Sequence, residues 1–215
     1  MTTPIRVLIE VTPKKAFASA LDWPGLSRAG SDGPSALAAL AAVLPRYAPV
    51  AATAGLPFAS HAALEVDEET PGDATTAFGA PAIVAAADRV PTTAADGERL
   101  AALVGACWAA LAASAATAPA ELRKGPRGGG RDRDKVITHV TDAEAAYAAV
   151  MGLRVKPVDP AGLAAMRAAI LELLRTPSDG APLAGKRWPA RYAARRIAWH
   201  ALDHAWEIED RAEPA

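Results

Sequence analysis

Two histidines, His200 and His204, stand four residues apart in the run Arg195-Arg196-Ile197-Ala198-Trp199-His200-Ala201-Leu202-Asp203-His204-Ala205-Trp206-Glu207. On a helix that spacing puts both imidazoles on one face, one turn apart, within reach of a single metal ion. A third, His139, lies in Val136-Ile137-Thr138-His139-Val140-Thr141-Asp142-Ala143-Glu144, on another expected helix. The chain has four histidines in all, so three in this pattern form its first candidate site. Three neutral nitrogen donors leave one corner of a tetrahedral metal open to water or substrate, the layout of a reactive site. The competing reading is that the imidazoles pack or hydrogen-bond to one another. Ile197, His200, His204 and Ile208 share one stripe of an amphipathic helix, so the imidazoles are expected to point inward, where they need partners. Ala201 stands where the general-base glutamate of H-E-x-x-H would be, which argues against peptidase chemistry of that kind.

Carboxylates flank these histidines. Asp142 lies one turn beyond His139, and Asp203 and Glu207 border the pair. One of them is expected to accept an imidazole N–H and orient the ring, or Glu207 to serve as a fourth ligand. A solvated helix charge or an i,i+4 ion pair is the alternative for each, and the preferred one for Asp203. Arg187, Arg191, Arg195 and Arg196 lead into the last helix. Arg195 and Arg196 are candidates to hold the carboxylates of a thiol cofactor through forked hydrogen bonds, a solvated face being the more frequent role. The basic, glycine-rich run from Arg123 to Arg133 reads as a mobile connector before a lid or anion site. It lacks the G-x-x-x-x-G-K-[ST] spacing of a nucleotide site. His61 is expected on the surface. Cys107, in an alanine-rich helical run, reads as a small buried hydrophobe rather than a nucleophile.

Composition narrows the class. Hydrophobic residues make up 51% of 215, but alanine inflates the figure and aromatics are only 5%, so few large side chains must build the core. Three of the five tryptophans, Trp188, Trp199 and Trp206, mark the C-terminal helix as a packing centre. A net charge of −1 gives no footprint for bulk nucleic-acid binding. A single cysteine excludes an intramolecular disulfide and suits a reducing compartment. Neither a signal peptide nor a membrane span is expected, so the expected location is the cytoplasm.

The elements that must position the histidines change character near residue 90. Before it, Ile5–Val11 and Ala16–Leu21 read as strands around a turn at Thr12–Lys15, followed by the tight turn Asp22-Trp23-Pro24-Gly25. Trp23 in that turn is either a contact for a protein partner or a core anchor. A helix is expected from Pro34 to Tyr47, with Ser31 or Asp32 near its start, and short strands near Ala62–Val66 and Ala82–Val84. After residue 90, four helices are expected: Ala94–Ala118, Asp134–Met151, Pro160–Arg175 with Asp159 as N-cap, and Pro189–Arg211. The fold class is thus α+β, with a small αβ domain over residues 1–88 and an all-α four-helix bundle over residues 89–215, a common setting for a metal between facing helices.

With His139 early in one helix and an H-x-x-x-H pair in the last, residues 90 to 215 resemble the DinB/YfiT-like metal-binding four-helix bundles, which include mycothiol-dependent maleylpyruvate isomerases and thiol S-transferases. The resemblance implies that His139, His200 and His204 ligate a divalent metal, typically zinc or nickel. It also implies a low-molecular-weight thiol such as mycothiol, whose thiolate attacks a small-molecule electrophile, and often a homodimer. Residues 4 to 50, with a strand pair, the D-x-P-G turn and a following helix, resemble the HicB-like antitoxin fold. That implies a fold and, through it, a non-catalytic module that recruits a protein partner; no accompanying DNA-binding segment is evident.

Overall fold

The computed structural model describes residues 3–125, 129–155 and 159–212. Its architecture is mixed α+β, a four-stranded sheet in the first half followed by long helices. Strands β1 (Ile5–Thr12) and β2 (Lys15–Ala20) form an antiparallel hairpin, and β3 (Ser27–Gly30) adds antiparallel to β2. Helices α1 (Gly33–Ala42) and α2 (Leu44–Thr53) then lead to β4 (Leu64–Pro71), which pairs parallel with β1 and completes the order β3-β2-β1-β4. A short helix α3 (Ala74–Phe78) precedes four long ones, α4 (Ala94–Thr117), α5 (Arg133–Val150), α6 (Pro160–Arg175) and α7 (Ala190–Ala212). Helix α4 packs against α6 and α7, and α5 closes the group against the same two.

The strands show period-two sorting, but both faces are apolar. Ile5, Val7, Ile9, Ala16, Ala18 and Ala20 join the main core on one face. On the other face Leu8 meets Leu21 and Ala85, and Phe17 meets Trp199 of α7 edge-on with ring centres 6.0 Å apart. A sheet covered on both sides needs near-continuous apolar strands. One contiguous core therefore runs from Ile5 through Cys107 to Ile208 and joins the sheet to the long helices.

The turn at residues 22–25 is the seam of that junction. Gly25 has φ +97°, and a Cβ there would lie 2.7 Å from the Cys107 sulfur, so only glycine fits. The Tyr47 hydroxyl donates to the Pro24 carbonyl at 2.6 Å, and Arg99 donates to the Asp22 carbonyl at 3.0 Å. Trp23 packs on Phe58 and Tyr47 with the Arg99 guanidinium 4.2 Å over its ring. Half-buried, it packs against the main core as an anchor.

Several expectations need correction. The single helix from Pro34 to Tyr47 is two, bent by 56° at Val43. Pro45 lacks an N–H and its ring excludes the carbonyl of Ala41, so the first helix must stop there. Asp32 is the cap, its carboxylate accepting from the Ser35 N–H at 2.8 Å. No strand forms at Ala82–Val84. The Ala82 N–H donates to Glu10 at 2.9 Å and its carbonyl accepts from the Tyr192 hydroxyl at 3.0 Å, so side chains answer the groups a ladder would use. The strand expected at Ala62–Val66 starts later and runs through Asp67-Glu68-Glu69 at the sheet edge, where Asp67 pairs with Arg6, Glu68 accepts from the Ala86 N–H at 2.8 Å and Glu69 is exposed. Strand β3 and helix α3 were not anticipated. Helix α4 is long and apolar enough to cross a membrane by composition alone, yet it packs against α2, α6 and α7 with Leu103, Val104 and Cys107 enclosed.

Buried charges tie the seam together. Arg195 on α7 makes a forked pair with Asp88 at 3.0 and 2.5 Å, and both residues are buried. Removing one partner of such a pair leaves a charge without water or counter-charge, a loss of about 3–5 kcal/mol. Asp88→Ala is expected to lower unfolding stability by that amount in urea titration; a change within the range of a surface substitution would contradict the pairing.

Candidate metal centre

The three histidines predicted from sequence come together. His200 and His204 project from one face of α7 with ring centres 4.7 Å apart, and His139 of α5 lies 5.0 Å from each. One nitrogen from each ring lies within 4.8 Å of the other two. The His139 and His200 Nε2 atoms are 3.2 Å apart. On a tetrahedral zinc with Zn–N bonds of about 2.0–2.1 Å, two ligand nitrogens stand about 3.3 Å apart. That edge is already the length a shared ion requires.

Protonation favours ligation. His200 is buried, and burial, reinforced by His204, His139, Arg196 and Arg131, pushes its pKa down to about 2. His139 is shifted down as well, by burial and then by Arg131 and His204. Both rings are therefore neutral donors near neutral pH. His204 Nδ1 lies 2.6 Å from Glu207 Oε2, while Glu207 Oε1 accepts from Arg211 at 2.6 Å. Its hydrogen bond to His204 comes first among the causes that hold the Glu207 carboxyl below its ordinary range. A carboxylate accepts only, so the imidazole carries a proton on Nδ1, which leaves Nε2 as the nitrogen that can face an ion. Glu207 thus orients a ring in the way its position in the sequence suggested, rather than acting as a fourth ligand. Arg211 also donates to the Arg123 carbonyl at 2.8 Å, fastening the segment before α5 to the end of α7. Residues 126–128 of the glycine-rich run lie outside the described residues.

No family model, curated protein or solved structure matches the chain. What the site can do follows from its own donors.

The remaining candidates separate. Asp142 is exposed and, among the described residues, makes no hydrogen bond to a histidine. Asp203 accepts from Arg28 at 2.8 Å, an ion pair across the seam. Arg195 is engaged with Asp88, so it is corrected out of the set that could bind a ligand. Arg196 stays beside the histidines, donating to the Pro81 carbonyl at 2.6 Å with its guanidinium 5.0 Å from the Trp199 ring centre and 5.6 Å from that of Tyr147. His61 is exposed, as expected. Cys107 is fully buried, and burial pushes its thiol pKa up, so it offers no nucleophile.

Sequence reasoning missed Tyr147 and Arg131. The Tyr147 ring stands 5.7 Å from that of His200 and walls the site. It lies eight residues beyond His139, on the same helical stripe, and that spacing was a usable signal. Arg131 sits in the loop before α5, and only the fold brings its charge near the imidazoles.

The donor set fits a divalent ion. His200 Nδ1 is buried without a partner, and its Nε2 lies 3.2 Å from His139 Nε2, an edge that an N–H···N bond or a shared ion fills. Two measurements follow. In chelator-treated protein His200 takes up a proton in the unfolded chain, near its ordinary value of 6.5, but in the folded chain only near 2. Stability is therefore full above pH 6.5 and falls as pH drops from there toward 2. Between about pH 7 and about pH 5 this residue alone accounts for about 2 kcal/mol. Urea titrations should show that loss in the native sequence and a smaller one in His200→Leu; equal losses would mean that the ring charges freely in the fold. Glu207→Gln, which weakens the hold on His204, is expected to reduce zinc affinity about 10- to 100-fold in competition with a chelating dye.

Proposed function

We propose that the protein binds a divalent metal, zinc or nickel, through His139, His200 and His204, and uses it as a thiol-dependent S-transferase or isomerase of the DinB/YfiT-like kind. The observation that carries this reading is the convergence of three imidazoles from two helices, one of them oriented by a carboxylate. When bound, the metal supplies Lewis acidity that lowers the pKa of a water or thiol in its open position.

The chain's own residues define the rest. Glu207 and Arg211 hold the His204 tautomer, and burial keeps His200 a neutral donor. Arg131 and Arg196 place positive charge beside the imidazoles, which favours an anionic incoming group such as a thiolate. Tyr147 and Trp199 flank His200 and limit water on its side. Since Cys107 is enclosed, the chain offers no thiol of its own, and a low-molecular-weight thiol such as mycothiol would supply one.

Elemental analysis of tag-free protein tests the reading. Near-stoichiometric zinc or nickel is expected in the native sequence and its loss in both His139→Ala and His200→Ala. Failure to retain either metal after reconstitution would overturn the reading and leave the histidines as packing residues.

A further inference from the structure

A pocket of about 330 Å3 lies between the segment around α3 and the start of α7. Arg187, Trp188, Tyr192 and Arg196 line one side, and Asp73 and Thr75 stand opposite. The volume is at the small end of the range for small-molecule sites. Elsewhere the arginines of this region are engaged with carboxylates, as in Arg28 with Asp203, Arg191 with Asp96 and Arg195 with Asp88. Among the described residues, Arg187 and Arg196 have no carboxylate partner. The one acidic group in the lining, Asp73, caps α3 by accepting from the Thr75 and Thr76 N–H groups at 2.7 and 3.0 Å. Two guanidinium groups therefore leave the pocket with an excess of positive charge and unused forked donors.

The other surfaces are flat and aromatic. The Trp188 and Tyr192 rings meet edge-on with centres 5.3 Å apart, and Tyr192 fixes its hydroxyl on the Ala82 carbonyl, leaving the ring as a wall. Trp188 also touches Tyr147, with ring centres 5.1 Å apart, and Tyr147 touches His200. The pocket thus stands one aromatic residue from the histidine cluster.

We propose that this pocket binds a planar, carboxylate-bearing small molecule, an aromatic or conjugated acid, with its carboxylate on Arg187 and Arg196 and its plane against Trp188 and Tyr192. This names the substrate class of the adjoining site and rests on the metal reading only for what the ligand's far end meets. Binding itself depends on the arginines and aromatic rings.

Isothermal calorimetry with trans-cinnamate, and with cinnamyl alcohol as its uncharged counterpart, tests the assignment on chelator-stripped and zinc-reconstituted protein. Cinnamate is expected to bind both forms, with the alcohol weaker by about tenfold or more, the difference expected of charge-assisted hydrogen bonds. Arg187→Gln and Arg196→Gln should each weaken cinnamate and leave the alcohol unchanged. Arg187 is exposed, so its variant keeps the test valid even where Arg196→Gln fails to fold. Equal affinity for acid and alcohol, or cinnamate binding indifferent to Arg187→Gln, would overturn the proposal. Cinnamate binding without zinc uptake would support the pocket while removing the metal centre; zinc uptake without cinnamate binding would remove the pocket alone.

Discussion

Helix α7 is enclosed along most of its length, and every polar side chain it carries there must be answered by a neighbour. The sheet covers it through Phe17, α4 packs along it, and α5 lies on the face that holds the histidines. Burying an unpaired polar group takes more from stability than one good contact returns. The helix meets that demand group by group: Arg195 with Asp88, Arg196 with a carbonyl, Asp203 with Arg28, His204 with Glu207. Trp199 Nε1 and Arg211 Nη2 also lack partners on this helix, but His200 is the exception that lies within the site. Its Nδ1 has no partner, and its Nε2 faces another imidazole nitrogen. A cation on the converging nitrogens of His139, His200 and His204 answers the Nε2 contact, while Nδ1 stays the N–H side of the His200 ring.

This constraint ties the two parts of the chain together around the site. The segment before α4 supplies Asp88 and the Pro81 carbonyl, without which two adjacent guanidinium groups would lack partners. Arg28 reaches from β3 to Asp203, between the two histidines of α7. The same guanidinium lies 4.2 Å from the centre of the Trp206 ring, adding a cation–π contact at the seam. The sheet therefore bears on the histidines through α7, although no strand residue touches an imidazole in the contacts described above.

The candidate site was legible because helical spacing is a local code. His200 and His204 share a face wherever a helix forms, and His139 required only that a second helix pack alongside. The long helices were legible for the same reason, their starts marked by Asp159 before Pro160 and by Pro189. What escaped were features that depend on distant partners. Residues 82–84 look like a strand because their apolar character is real, but the segment seats Tyr192 on the Ala82 carbonyl and leads to Ala85 over Leu8 rather than joining a ladder. The outer half of β4 was hidden by its acidic residues, which suit an edge strand and read locally as a loop. The break at Val43 was written in Pro45 and could have been read from the sequence.

Arg195 and Arg196 show the limit of such reading most sharply. They are the same residue type one position apart, and nothing local distinguishes their chemistry. A single helical step turns the side chain by about 100°. That rotation carries Arg195 into the seam, where Asp88 fixes both arms of its fork, and leaves Arg196 beside His200 with donors still unused. The first guanidinium holds the helix in place and the second lines an open pocket. Their division of labour is set by the phase of α7 against the sheet, which the burial of Ile197, Ala201, Leu202 and Ile208 determines. The packing of apolar residues that take no part in chemistry thus decides which arginine is available to a ligand.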